Sequence, residues 1–194
     1  MATVVKSRLI GILSVVTVLI TVLLLFNWSR NRGKERNFDS LILAASTVYE
    51  VDPALVKAVI WQESRFDALA EGRAGELGLM QIREAAASDW ATSERLAQFA
   101  FDQLRDPATN TMVGTWYLAR LLKRYIGTDD PVAYALADYN AGRRHVLRWN
   151  SGAAMTNAAT FISQITFPGT RRYVETVKKR RDHYRAEFGP NHDP

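Results

Sequence analysis

Glu63, a carboxylate on the apolar face of a predicted helix, is the residue whose position points most clearly to chemistry. Leu55, Val59 and Glu63 are four residues apart, and this spacing places them on one face of a helix. An ionised carboxylate is costly to bury unpaired, so it either pairs with a cation or has a raised pKa. A carboxyl that stays protonated near neutral pH can act as a general acid. A structural ion pair with Arg65 or Arg83 explains the same position, and helical spacing leaves both interpretations open.

Three blocks of residues around and after Glu63 occur in a fixed order along the chain. They are Glu63-Ser64 with Gly75 and Gly78-Leu79-Met80-Gln81-Ile82; Asp106-Pro107 with Asn110, Gly114, Tyr117-Leu118 and Leu121-Leu122; and Ala137-Asp138-Tyr139-Asn140-Ala141-Gly142 with Thr170 and Tyr173-Val174. This series resembles the catalytic domain of the soluble-type lytic transglycosylases, which belong to the lysozyme-like superfamily and are related to goose-type lysozymes. The resemblance extends over residues 39–174.

The resemblance implies roles for individual residues. It makes Glu63 the catalytic acid and base, and makes the Tyr139 hydroxyl the group that hydrogen-bonds to Glu63 and orients it. It implies that Gln81 and Met80 contact the sugar and that Asn140 supports the turn at Tyr139. The other motif positions that we expect at the substrate are Ser64, Gly75 and Tyr173. The residue types alone also allow an exposed helix residue at Gln81, core filler at Met80 and an ordinary helix terminus at Asn140.

The sequence departs from the family pattern at three places. Many family members have a serine, associated with the acetamido region of the substrate, nine residues after the catalytic glutamate, where this chain has Gly72. The Met-Pro that usually follows the Gly-Leu-Met-Gln-Ile block is replaced by Arg83-Glu84, and Gly169 stands where a glutamate commonly precedes Thr170. These changes concern contacts to the substrate and leave the central acid in place.

The implied reaction is cleavage of the β-1,4 bond between N-acetylmuramic acid and N-acetylglucosamine in peptidoglycan, with formation of a 1,6-anhydromuramoyl end. No spacing singles out a second carboxylate, although Asp67, Glu71, Glu76 and Asp138 lie near the motifs. Hydrolysis of the same bond by Glu63 is the nearest alternative. A non-catalytic scaffold that binds glycan in an envelope protein complex is the other alternative.

We expect no cofactor and no metal, because the histidines, His145, His183 and His192, lack the spacing of metal ligands.

The elements that must position these residues are predicted to be helices, because apolar and polar residues nowhere alternate for more than a few positions. We therefore predict an all-α single domain, and the resemblance implies that its fold is lysozyme-like. Asp52-Pro53, Asp106-Pro107 and Asp130-Pro131 each place an N-cap acid before a proline at the first helical position. The predicted helices span residues 39–50, 54–65, 79–89, 94–103, 108–126, 132–139, 143–149 and 170–188.

An uncharged run of 20 residues, 9–28, precedes this domain. At 1.5 Å per residue it matches a hydrocarbon core of roughly 30 Å, and it is longer than the apolar region of a cleaved signal peptide. We predict a transmembrane anchor at the inner membrane, with the domain on the periplasmic side. The basic residues favour the opposite orientation, since Lys6 and Arg8 precede the run and four basic residues follow it.

The positive charge of the chain is confined to its N-terminal region. Six basic residues and one acidic residue among the first 37 account for the whole formal charge of +5, so the remainder is formally neutral. A nucleic-acid function is therefore not indicated. The predicted organisation is an N-terminal flank at 1–8, the anchor at 9–28, a basic linker at 29–37, the catalytic domain at 38–189 and a disordered tail at 190–194.

Overall fold

A computed structural model of the chain describes residues 17, 19–23 and 33–188. The described residues up to Phe38 belong to one unit, and those from Asp39 belong to a second. In the second unit the α-helices are α1 Asp39–Tyr49, α2 Pro53–Ser64, α3 Glu84–Ser93, α4 Pro107–Arg124, α5 Pro131–Ala141, α6 Arg143–Trp149, α7 Ala158–Gln164 and α8 Pro168–Phe188. Short 3-10 helices cover Phe101–Arg105 and Gly152–Met155. The described residues contain isolated β-bridges but no β-strand, which confirms the all-α prediction for this part of the chain.

Two of the three Asp-Pro signals act as predicted N-caps. The Asp52 carboxylate accepts a hydrogen bond from the Ala54 amide at 2.8 Å, and Asp106 accepts one from the Thr109 amide at 2.8 Å. Asp130 makes no such capping bond and instead pairs with Lys178 of α8. All three prolines nevertheless begin their helices, because a fixed φ and a missing N–H suit the first helical turn.

The predictions for residues 79–89 and 94–103 are wrong in detail. Residues 79–83 form turns and a bridge, and the helix begins only at Glu84. Leu77 and Ile82 exchange backbone hydrogen bonds with each other, and Gln81 has a positive φ of 49°, which a helix cannot contain. The region of the second predicted helix contains only the 3-10 helix Phe101–Arg105. Helix α7 was not predicted.

Helix α2 is the central element of the domain and packs most extensively on α8. Its first eight residues are all buried, so it is enclosed on every side rather than lying on the surface with one apolar stripe. Lys57 is among these residues, and its side chain is 0% exposed. Its ammonium lies 2.7 Å from Asp39 of α1 and 2.8 Å from Glu187 of α8. This ion triad joins three helices at the N-terminal half of α2.

The predicted anchor, residues 9–28, lies largely outside the described residues, as do the flank at 1–8 and the tail at 190–194. Residues 17, 19–23 and 33–36 are helical. Within the part of the chain that the structure describes, we find no helix that is both long and apolar enough to span a bilayer.

Candidate active site

Glu63 lies in the last turn of α2 and lines an open cleft of about 340 Å³. Burial raises the pKa of its carboxyl from an ordinary 4.5 to about 7. A hydrogen bond from Tyr173 acts in the opposite direction, and the nearby charge of Glu76 raises the pKa further. The two arginines considered as ion-pair partners bond elsewhere, Arg65 to the Trp61 carbonyl and Arg83 to Glu76. The side chain is therefore suited to hold a proton at neutral pH.

The hydroxyl that contacts Glu63 comes from Tyr173, not from Tyr139. Tyr173 is buried on α8 and donates a hydrogen bond of 2.6 Å to Oε1 of Glu63. Tyr139 of α5 also lines the cleft, but its hydroxyl donates to the Met80 carbonyl at 2.8 Å. The expected hydrogen bond between Tyr139 and Glu63 is thus corrected, because Tyr139 is occupied in fixing the loop that precedes α3. Burial raises the pKa of both tyrosines well above the ordinary value, so both hydroxyls stay protonated.

The loop from Glu71 to Ile82 forms one wall of the cleft and is fastened by Asn110 of α4. The fully buried Asn110 amide accepts from the Met80 amide at 2.8 Å and donates to the carbonyls of Leu77 and Leu104 at 2.8 and 3.0 Å. Gly78 is required beside it, because a Cβ at this positive φ would lie 2.3 Å from Nδ2 of Asn110. The loop is therefore set by buried hydrogen bonds and not by helical propensity.

The cleft brings together residues from four parts of the chain. It is lined by Glu63, Glu76, Gln81, Ile82, Arg83, Ala85, Ala86, Tyr117, Asp138, Tyr139, Asn140, Ala141 and Gly142. Among the predicted substrate contacts, Gln81 and Asn140 lie in this lining. The Gln81 amide donates to the carbonyls of Ala70 and Gly78, both at 3.0 Å. Asn140 accepts a hydrogen bond of 2.8 Å from the Thr170 hydroxyl, which links α5 to α8.

Four predicted substrate contacts lie outside this lining. Met80 is 0% exposed and packs against Gly114, so its side chain belongs to the core. Ser64 donates its hydroxyl to the Ile60 carbonyl within α2. Gly75 provides a turn with a φ of 82°, and Tyr173 acts through Glu63. Substrate contact by these four residues stays a prediction, because motif positions can be fixed by packing and turn geometry as well as by ligand contact.

Glu76 and Tyr117 are among the residues of the cleft wall that sequence reasoning did not select as site residues. Glu76 was one of several nearby acids that no spacing distinguished; the fold places it in the same cleft as Glu63, together with Asp138, which is buried and paired with Arg124. Tyr117 of α4 lines the cleft with its ring 5.4 Å from the ring of Tyr139. Tyr117 belongs to the second motif block, but its apolar spacing on α4 indicates only a core position.

Comparison with known proteins identifies the family. The sequence model of the transglycosylase SLT domain matches residues 40–162, more than half of the chain. The chain belongs to the transglycosylase SLT domain family. Among relatives of this family, the membrane-bound lytic murein transglycosylase F of Desulfosudis oleivorans is 37% identical over 112 residues, which cover 56% of this chain and 23% of the relative. The soluble lytic murein transglycosylase of Escherichia coli is 30% identical over 142 residues, which cover 72% of this chain and 22% of the relative.

The crystal structure of the 70 kDa soluble lytic transglycosylase from Escherichia coli superimposes with a TM-score of 0.71 at 27% identity. The match covers 80% of this chain and 25% of that one. The predicted lysozyme-like fold is thereby confirmed. This SLT-family chain spans less than a quarter of the length of the two sequence relatives above.

Replacing Tyr173 with phenylalanine tests which tyrosine controls the acid. The Tyr173 hydrogen bond lowers the pKa of Glu63, so its removal should raise that pKa above about 7. NMR titration of the labelled Glu63 carboxyl measures this shift directly. Tyr139→Phe is the matched control, since its hydroxyl bonds to Met80, and it should move the Glu63 pKa less. A larger shift in Tyr139→Phe than in Tyr173→Phe would return the orienting role to Tyr139.

Proposed function

We propose that this chain is a peptidoglycan lytic transglycosylase that cleaves the bond between N-acetylmuramic acid and N-acetylglucosamine without water. The observation that carries the proposal is a carboxyl with a pKa of about 7, held by Tyr173 in a cleft shared with Gln81, Tyr139 and Asn140. Membership of the SLT family supports the same substrate.

In the first step, protonated Glu63 donates its proton to the bridging oxygen, and the bond from that oxygen to the anomeric carbon of muramic acid breaks. Positive charge develops on the anomeric carbon as the N-acetylglucosamine end leaves. In the second step, the Glu63 carboxylate takes the proton of the muramic acid C6 hydroxyl while that oxygen bonds to the anomeric carbon. The products are a 1,6-anhydromuramoyl end and a reprotonated Glu63. A pKa near the working pH suits a group that must serve first as acid and then as base.

Hydrolysis by the same acid is a second candidate function, and the presence of Glu76 in the cleft is the observation that favours it. Retaining and inverting glycosidases use two carboxyl groups, and Glu76 provides a second one. Digestion of purified sacculi by the full chain, followed by mass analysis of the muropeptides, separates the two reactions. Anhydro ends are expected, each lighter by one water than the hydrolysed end. Products that carry only hydrolysed ends would replace the proposal with a lysozyme-type activity, and an absence of new ends would favour a glycan-binding scaffold.

We also propose that residues 9–28 anchor the enzyme in the inner membrane with the SLT domain on the periplasmic side, where it can associate with an envelope protein complex. The support is the uncharged run in the sequence and the location of the proposed substrate. Protease treatment of spheroplasts provides the test. Digestion of the domain in intact spheroplasts is the expected outcome, and protection until lysis would reverse the orientation.

A further inference from the structure

Two departures from the family motifs, Gly72 and Arg83, meet at the side chain of Glu76. A Cβ added to Gly72 would lie only 2.2 Å from Oε2 of Glu76, so the carboxylate occupies the space that a side chain at position 72 would need. Arg83 donates two hydrogen bonds to Oε1 of the same carboxylate, from Nε at 2.9 Å and from Nη2 at 2.6 Å. The missing side chain at Gly72 thus leaves room for the Glu76 carboxylate, and the Arg83 guanidinium holds the carboxylate there.

The Glu76 carboxylate is held in place and ionised. Besides the two bonds from Arg83, its Oε2 accepts the Ala74 amide at 3.0 Å. Burial acts to raise its pKa, but hydrogen bonds from the backbone and from Arg83 outweigh burial and bring the pKa below the ordinary value. Its side chain remains 16% exposed and lines the cleft. The cleft therefore contains a protonated carboxyl at Glu63 and a fixed negative charge at Glu76.

A second acceptor oxygen lies beside Glu76. The Gln81 amide nitrogen donates to the carbonyls of Ala70 and Gly78, and this fixes the orientation of the amide. Its Oε1 is consequently turned towards Gly72, where an added Cβ would lie 2.8 Å from it. A carboxylate oxygen and an amide oxygen both accept hydrogen bonds and do not donate them. This part of the wall is therefore matched to a ligand group that donates, such as an amide N–H or a hydroxyl.

The ion pair has little value for stability alone. The Arg83 side chain is 67% exposed, and exposed pairs contribute about 0–1 kcal/mol because water screens them. A charge-assisted hydrogen bond to a bound ligand is stronger than a neutral one, since the acceptor is already ionised. The arrangement thus suits recognition better than it suits support of the fold.

We propose that Glu76 is a substrate-contacting residue that fills the place left open by Gly72, is fixed by Arg83, and accepts a hydrogen bond from the N-acetylated sugar bound beside Glu63. The inference deepens the proposed function and rests on it for the identity of the sugar. In this chain the Glu76 carboxylate occupies the space where a side chain at position 72 would otherwise lie.

The test measures binding of the tetramer of N-acetylglucosamine to the full chain by calorimetry. Glu76→Gln should weaken binding by about tenfold or more, because the charged acceptor is lost while the shape is kept. Gly72→Ala should weaken it to a similar degree, because the added Cβ displaces the carboxylate without removing it. Glu71→Gln is the matched control, since Glu71 is an exposed acid of the same loop that pairs with Arg105, and its Kd should stay within about twofold.

A second readout tests whether the Glu76 carboxylate is ionised and close to Glu63 in solution. The titratable groups that interact with Glu63 in the described residues are Tyr173 of α8, Tyr139 of α5 and Glu76, which is paired with Arg83. The negative charge of Glu76 raises the pKa of Glu63, so Glu76→Gln should lower that pKa in an NMR titration while Glu71→Gln leaves it unchanged.

Either of two results overturns the inference: a Kd for Glu76→Gln equal to that of Glu71→Gln, or a Kd for Gly72→Ala equal to that of the unaltered chain. Because the tetramer contains no muramic acid, its binding is measured whether or not anhydro ends form from sacculi. Failure of the proposed reaction and failure of the Glu76 contact therefore give different results.

Discussion

Glu63→Gln is expected to reduce the release of anhydromuropeptides from sacculi by about 10² to 10⁴-fold, because the amide can neither donate the proton nor recover it. The substitution keeps the shape of the side chain, and the Tyr173 hydroxyl can still donate to the amide oxygen. Mass analysis of digests at equal protein concentration measures the loss. Retention of binding to the N-acetylglucosamine tetramer by the same variant would show that the cleft is intact.

The same substitution should stabilise the fold at neutral and higher pH. The folded-state pKa of Glu63, about 7, lies above its ordinary 4.5, so the folded state binds the proton more tightly. The free energy of unfolding therefore falls as pH rises from about 4.5 through about 7. The Glu63→Gln variant does not lose this free energy, because glutamine does not ionise. We expect a gain on the order of 1–3 kcal/mol at pH 8 and none at pH 4, measured by urea unfolding. Equal stability of both proteins at pH 8 would mean that Glu63 is ordinarily solvated.

Lys57→Ala is expected to lower the free energy of unfolding by about 3 kcal/mol or more. The ammonium is completely buried and touches two carboxylates, Asp39 and Glu187, which are only 31% and 28% exposed. Removal leaves a cavity in α2 and two partly buried negative charges without their cation. The rings of Tyr184 and Phe188 also lose the ammonium, which lies 5.0 and 5.2 Å from their centroids. Urea unfolding at pH 7 measures the change.

Arg120→Ala supplies the matched control for an ion pair at the surface. Arg120 pairs with Asp89 at 2.6 Å, but their side chains are 46% and 58% exposed. We expect a loss below about 1 kcal/mol, because solvent screens the pair. Lys57→Met should fall between the two variants, since it retains most of the buried volume. A cost for Lys57→Ala no larger than that for Arg120→Ala would show that the triad does not hold the helices together.

The burial of Glu63 on helix α2 could be predicted from sequence because its signal is local. Residues four apart on one helix must share a face, and a glutamate among apolar residues stands out at once. The tyrosine that contacts it could not be predicted in the same way. Tyr139 and Tyr173 are both motif residues, and their hydroxyls are directed to different acceptors only by the packing of α5 and α8. Sequence spacing carries no information about which of two distant side chains completes such a contact.

The loop before α3 is a second feature that sequence spacing could not predict. Leu79, Met80 and Ile82 are buried as a helical pattern predicts, yet they lie in turns and a β-bridge. The amide of Asn110, 30 residues from Met80, takes the backbone groups that a helix would pair internally. The sequence does not distinguish Glu76 from neighbouring acids, because the space beside Gly72 that its carboxylate fills is created by the fold. Tertiary hydrogen bonds, rather than local propensity, decide both outcomes.

Helix α8 begins after the region that the family model matches, yet it supplies the hydroxyl on Glu63 and one carboxylate of the Lys57 triad. Glu63 and Tyr173 are 110 positions apart in the sequence. A nascent chain that has reached residue 162 thus carries the acid but neither of these two contacts. Under the proposed function, the hydroxyl that contacts the proton donor is in place only after the last helix has docked.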